Sequence, residues 1–367
     1  MTTQGTKGIQ GIRSVDFIIQ ATGEGVVNAN GAFNVFSPAA GKFLNNHIFP
    51  KLRGMDPVQR LRAENGKDSK TMSLDDPALA EARMIVSAEC IRAGLFRDVS
   101  FGLASVNHEN VKSVLSSLHG LVRGYLITAQ NSSFARKSPL YVTDFECGKP
   151  GLVFNQGSNS KLRGTAEEAA SLHSTFKTDS NLKYVGKASL AIEDLQFIPL
   201  ENSLGRSAFD YQVTVAKGHE VAASITEFLQ DIAADELQPK AEFVKKAVRR
   251  GTACRVGDAG VMLNDDAIRV IASDIVQRIT ELYIRQGKGY LQVVETVVDY
   301  NPSARVFRAS TDPTLADGVG EGPFASYYDV TDVSDEAFAA EQSRMKSERL
   351  ARKGEKEDKK LTTAAKR

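Results

Sequence analysis

The side chains able to do chemistry in this chain are spaced in ways that point away from catalysis. The five histidines, His47, His108, His119, His173 and His219, stand apart, with no HExxH and no His-x-His pair. His119 falls in a predicted helix and is expected on its surface rather than on a metal. Cys90, Cys147 and Cys254 give neither a disulfide framework nor a zinc knuckle, and such usage fits a reducing cytoplasm. Gly41-Lys42 is followed by Phe43 and Gly186-Lys187 by Ala188, so the Gly-Lys-Ser/Thr phosphate loop is missing. Gly23-Glu24-Gly25 lacks the third glycine of a dinucleotide fingerprint, and no GxSxG elbow occurs. Asp265-Asp266 reads as the start of a helix before it reads as a metal site. No catalytic residue, metal or cofactor is therefore assigned, and the chain is expected not to be an enzyme.

What remains is cationic and sits in loops and at element ends. Lys42, Lys51, Arg53, Arg60 and Arg62 come first, then Arg92 and Arg97, then Arg136-Lys137, Lys161 and Arg163. Lys245, Lys246, Arg249, Arg250 and Arg255 form a later group. Lys-Leu-Arg-Gly occurs twice, at 51–54 and 161–164, both times among glycine and asparagine. Small neighbours let a backbone approach a phosphate and donate N–H groups to it. Each cluster taken alone reads first as a solvated loop. The total is no guide, because 46 Lys/Arg stand against 45 Asp/Glu; the distribution decides.

The elements that must position these cations follow from periodicity. Ile12–Ala21 alternates as a first strand, broken at Gly23-Glu24-Gly25 and followed by a turn at Asn28–Gly31. Residues 37–75 read as a long irregular loop. A helix is predicted from Pro77 to about Phe96, and a second from Asn107 or His108 to Ile127, with Val111, Val114, Leu115, Leu118, Leu121, Val122 and Tyr125 on one face. Leu140–Phe145 reads as a strand. Thr165-Ala166-Glu167-Glu168 fits a capping box opening a short helix to about Phe176. Tyr184–Leu200 and Ala208–Val215 are strand-like, and Val221, Ile225, Phe228 and Leu229 mark a helix. Ile268, Ile271, Ile275, Ile279 and Leu282 make Asp265–Gln286 the clearest helix, with Asp265 as cap and Gly287 as stop; Tyr290–Tyr300 is a strand. From Glu341 the chain carries ten Lys/Arg against five Asp/Glu and reads as a solvated tail, with a helix over Asp335–Arg352 as the competing reading, because Ala, Glu, Lys and Arg favour helices. Strand, helix, strands, helix, strand is the order of a split βαβ sheet, with the first and last strands side by side in its centre. With 367 residues, 42% apolar and 25% charged, the chain can bury a large core. It has no apolar run of transmembrane length and no leader-like apolar start, so a cytoplasmic location is expected.

At this point the chain resembles a known family, the RAMP-superfamily backbone subunit of class 1 CRISPR effector complexes. The segments that carry the resemblance are Val15–Gly31, the cationic stretch through Phe49-Pro50-Lys51-Leu52-Arg53-Gly54, and Ser87–Phe96, similar to that family's Ile-Arg-x-x-Leu-Phe helix. Arg136-Lys137-Ser138-Pro139-Leu140 with Val142-Thr143-Asp144, and Ser203-Leu204-Gly205-Arg206 before Phe209–Val215, continue it. It spans roughly residues 12–310, and size and insert pattern resemble the type IV version, a plasmid-borne system.

The resemblance implies an α+β, hand-shaped protein over residues 1–310. It has an RRM-like (ferredoxin-like) palm, an inserted finger or helical region at about 37–175 and a β-hairpin thumb at about 183–215. An extension at 311–340 and a charged flexible tail at 341–367 complete it. Lys51, Arg53, Arg92, Arg136, Lys137, Lys161, Arg163 and Arg206 become the RNA-binding candidates, and Phe197, Leu200 and Leu204 candidates for a base wedge. The implied partners are crRNA, target DNA through guide pairing, further copies in a head-to-tail helical filament, other effector subunits (a crRNA-end-binding subunit, a small or large subunit) and a DinG-type helicase. Two other readings stay open: an RNA-independent, phage-like particle protein, and an RNA-cleaving RAMP ribonuclease, for which no thumb aspartate can be placed.

Overall fold

A computed structural model of the chain describes residues 9–29, 33–37, 42–46, 50–53, 59–62, 68–73, 83–98, 111–129, 132–159, 171–201, 208–209, 213–253, 257–286, 289–345 and 347. The first strand, β1 (Ser14–Gly25), runs through the predicted break at Gly23-Glu24-Gly25. Its alternation sorts the two faces: Val15, Phe17, Ile19 and Ala21 are buried, while Gln20 and Glu24 are exposed.

The stretch expected as an irregular loop instead holds short strands: β2 (Phe33–Ser37), β3 (Lys42–Asn46), β4 (Leu52–Arg53), β5 (Gln59–Arg62) and β6 (Asp68–Ser73). Four of them form a separate sheet in the order β3-β2-β6-β5. The predicted helix from Pro77 begins later, because Arg83–Val86 is strand β7 and only Ala88–Leu95 is helical (α1); β7 pairs with a neighbour, and pairing overrides local propensity. The second predicted helix also divides. Val111–Leu115 (α2) is followed by a π-helical turn, His119–Arg123, and then Gly124, whose φ of +77° suits glycine and reverses the chain into β8 (Tyr125–Ala129). His119 is buried there, not on a helix surface.

The chain continues through β9 (Ser132–Arg136), β10 (Leu140–Val142), β11 (Phe145–Cys147), β12 (Val153–Asn159) and β13 (Ser171–Lys177). The last of these occupies part of the predicted helix to Phe176; the capping box itself lies outside the described residues. Next come β14 (Leu182–Ala191), α3 (Ile192–Gln196), β15 (Phe197–Pro199), α4 (Val215–Asp231), β16 (Ala241–Arg249), β17 (Gly257–Leu263) and α5 (Asp265–Thr280). The cap of α5 is Asn264, whose side chain accepts from Ala267 N at 2.9 Å. The helix ends at Glu281, so that β18 (Tyr283–Gln286) forms a hairpin with β19 (Gly289–Asn301). Ala208–Val215, expected as a strand, contains no strand among its described residues; Thr214 caps α4 and Val215 begins it.

The main sheet runs β18-β19-β1-β14-β11-β7-β4, with β10 also on β14. β1 pairs antiparallel with both β14 and β19, so the first strand and the strand after the long helix lie side by side in its centre. The helices α4 and α5 bury Val221, Ile225, Leu229, Ile268, Ile271 and Ile275 in the core beneath it. A second sheet, β15-β17-β16-β20 with β20 at Tyr328–Val330, packs on α4 and α5.

This arrangement corrects the domain reading in three places. Residues 37–175 are not all insert, since β4, β7, β10 and β11 belong to the main sheet. Residues 183–199 are not a projecting hairpin: β14 is a central strand, and the wedge candidates Phe197 and Leu200 are buried, while Leu204 lies outside the described residues. The tail does not begin at Glu341, because a helix (α6) spans residues 335–345, with Phe338 buried against Phe243 and Gln342 hydrogen-bonded to Glu201.

Candidate nucleic-acid interface

The face of the main sheet turned away from Val15, Phe17 and Ile19 carries the candidate site. Alternation along β14 places Lys183, Val185 and Lys187 on that face, and Tyr184, Ala188 and Leu190 in the core. The register sets Lys187 opposite Ile18, Val185 opposite Gln20 and Lys183 opposite Thr22. The lysines are therefore about 13 Å apart along one strand. Tyr141 of β10, opposite Ser189, is 60% exposed beside them.

One end of this face is closed by the turn after β19, which holds Phe307. Its ring lies 5.6 Å from Lys187 Nζ and 6.4 Å from the Tyr141 ring. Phe307 is left-handed, with φ 57° and ψ 36°, a conformation costing a non-glycine residue about 1–2 kcal/mol. The surroundings enforce it. Asp16, buried at 2% exposure, accepts from Phe307 N at 2.8 Å, Asn301 Nδ2 at 2.9 Å and Ser189 Oγ at 2.6 Å. Asp299, buried directly across the strand pair, takes both arms of Arg308 at 2.8 and 2.9 Å. That carboxylate holds the Arg308 guanidinium above its usual pKa, and the guanidinium supplies the positive charge that lets two buried aspartates coexist. The strain thus serves to set an aromatic ring over a cationic sheet face. Lysines neutralise phosphates and ring faces stack bases, which is what a single strand of nucleic acid requires.

The sequence-predicted cations do not converge on this face as a set. Arg53 is ion-paired to Asp144 at 2.7 Å and to Glu146 at 2.8 Å, and Arg83 joins Glu146 at 3.0 Å. Lys51 is half-buried where its backbone bonds Asn28 and Ile85, and its charge acts on Glu89 and Cys90. Arg92 lies on α1, part-buried, with its guanidinium 3.5 Å from the Leu140 carbonyl. Arg136 is not on a basic loop; it is in β9 and buried, with NH2 donating to the Asp194 carbonyl at 2.7 Å. Lys137 next to it is exposed and paired to Asp194 Oδ2 at 2.8 Å. Lys161, Arg163 and Arg206 lie outside the described residues. In the later cluster Lys245 pairs with Asp335, Arg249 with Glu193 and Arg250 with Asp329, while Arg255 lies outside the described residues. Asp265 and Asp266 accept backbone N–H groups of Phe324 and Gln238, and no metal-holding group of three or more side chains occurs among the described residues. Sequence reading passed over Lys183, Lys187, Tyr141 and Phe307. The lysines were marked by period-two spacing within a strand; Phe307 had no local signal.

The chain matches the family model described as type I-Fv CRISPR-associated protein Cas7fv-like over residues 11–331. No curated protein matches it. Among solved structures it is similar to a chain titled "CRISPR RNA-guided surveillance complex", at 10% identity and a TM-score of 0.27, covering 90% of this chain and 99% of that one. It is also similar to "Crystal structure of Thermofilum pendens Csc2", at 7% identity and a TM-score of 0.21, covering 86% and 79%. Likenesses this distant add nothing to the fold described above.

Proposed function

We propose, from the premise that the chain belongs to the Cas7fv-like family of type I-Fv CRISPR-associated proteins, that it holds crRNA on the open face of its main sheet. Family membership supports reading it as a Cas7-like backbone subunit of a CRISPR effector complex. The observation that carries the RNA reading is the joint presentation of Lys183, Lys187, Tyr141 and Phe307 on one sheet face.

In this reading the antiparallel order β19-β1-β14-β11 is an RRM-like palm, and the separate sheet β3-β2-β6-β5 with the hairpins β8-β9 and β12-β13 is the inserted, finger-like part. Copies associate head to tail along the guide as a filament. The protein grips backbone and shape while base pairing reads the target DNA. The other expected partners are a crRNA-end-binding subunit, a small or large subunit and a DinG-type helicase. No bond is made or broken in this task, so the protein acts as a scaffold and not as an enzyme, in the cytoplasm. Among the described residues no helix is long and apolar enough to cross a membrane. Size and insert pattern suggested type IV; the family match is to type I-Fv, and the type IV and plasmid assignments draw no support from it.

The test is purification from cells that also express a guide cassette. The chain is expected to carry nuclease-protected RNA and a raised 260/280 absorbance ratio, and Lys183→Glu with Lys187→Glu is expected to lose both. RNA-free protein that assembles alone would overturn the proposal in favour of a particle protein.

A further inference from the structure

The two faces of the second sheet belong to different apolar clusters. One, with Phe243, Val261 and Leu263, joins the main core; the other is a small cluster of Phe197, Val244 and Ala247, with Met262 and Tyr328 against it. Over this second face lies a cavity of about 620 Å³, walled on the far side by the end of β9 and by α3. That volume is ordinary for a small-molecule site, which spans about 300–1,000 Å³.

Two features of its lining point to a ligand. Arg136 is 95% buried, at 5% exposure, and its guanidinium hydrogen-bonds only backbone carbonyls, of Asp194 and Leu121, among the described residues; its Nε has no partner. A buried cation without an ion-paired carboxylate is expensive. Asp194 Oδ2 pairs with Lys137, and Glu193 with Arg249. Burial also pushes the Arg136 guanidinium below its usual pKa. The second feature is the floor, where the rings of Phe197 and Tyr328 lie 5.0 Å apart. Such a floor accepts a planar group.

We propose that this cavity binds one mononucleotide, with the base against Phe197 and Tyr328 and the phosphate at Arg136. Lys137 and Arg249 flank the phosphate. Their exposed ion pairs are weak enough to rearrange around it. The site is separate from the sheet face that carries the RNA reading.

Titration calorimetry of the full, nucleic-acid-free chain with AMP tests this, with adenosine and inorganic phosphate as the partial probes. AMP is expected to bind saturably, and each partial probe at least tenfold more weakly. Arg136→Met should weaken AMP at least tenfold. Because that variant can also disturb β9, Ala247→Phe serves as the second: it fills the floor and leaves the carbonyl bonds of Arg136 in place. It should abolish AMP binding while single-stranded RNA binding persists. Absence of saturable AMP binding at millimolar concentration would overturn the proposal. So would unchanged binding in Ala247→Phe, or phosphate alone binding as tightly as AMP. None of these outcomes touches the sheet-face reading, whose own test is RNA retention.

Discussion

Replacing Asp16 by alanine isolates the device that presents Phe307. The carboxylate accepts three hydrogen bonds, from Phe307 N, Asn301 Nδ2 and Ser189 Oγ, at 2.6–2.9 Å, in a site with 2% exposure. Hydrogen bonds to a charged group contribute about 1.5–3 kcal/mol each. Part of the sum is offset, because Asp299 across the strand pair loses a like-charged neighbour. Asp16→Ala should therefore cost about 3–5 kcal/mol in urea-monitored unfolding. It should also release Phe307 from its left-handed conformation and remove the ring from over Lys187. One lost base stack is worth about 1–3 kcal/mol, so single-stranded RNA affinity should fall roughly tenfold at a temperature where the variant stays folded. The discriminating measurement is a double-mutant cycle with Phe307→Ala. If Asp16 acts through Phe307, the two affinity losses will not add. Fully additive losses, or a stability change below about 1 kcal/mol, would refute the reasoning.

Three further outcomes are expected. Lys183→Gln with Lys187→Gln should flatten the dependence of log affinity on log salt by about 1.4, at about 0.7 per phosphate on a single strand; an unchanged slope would mean that the face does not contact phosphates. His119 is buried with its Nδ1 unpartnered, and burial, then the Arg123 charge, lower its pKa to about 4 from 6.5. The native state thus binds fewer protons than the unfolded chain between those values, and its stability, full above pH 6.5, is lost as pH falls toward 4, by up to about 3 kcal/mol; His119→Gln should shrink the drop in urea midpoint between pH 7 and 4.5, and an identical drop would count against it. Phe338→Ala should cost about 3–5 kcal/mol, seen as a lower thermal midpoint, because α6 docks its ring against Phe243; a midpoint equal to that of the parent chain would restore the view of this segment as a free tail.

What the sequence alone determined was whatever a local period could state. β1, β19, α4 and α5 were legible because each carries enough repeats of 2 or 3.6 to bury a face without help. The central adjacency of β1 and β19 followed from the order of those elements. The family was legible through the order of short segments, and the family match bears it out. Tertiary structure alone decided the rest. Arg83–Val86 is a strand because β11 and β4 flank it, and the helix predicted through Ile127 ends early because Gly124 turns the chain. Arg136 looked like a loop cation but is buried beneath α3, whereas Lys183 and Lys187, unmarked by any cluster, share the open face. A residue's charge is written in its codon, but its solvent is set by which strands pair and in which register. A shift of one residue in β14 would exchange Lys187 for Ala188 on that face.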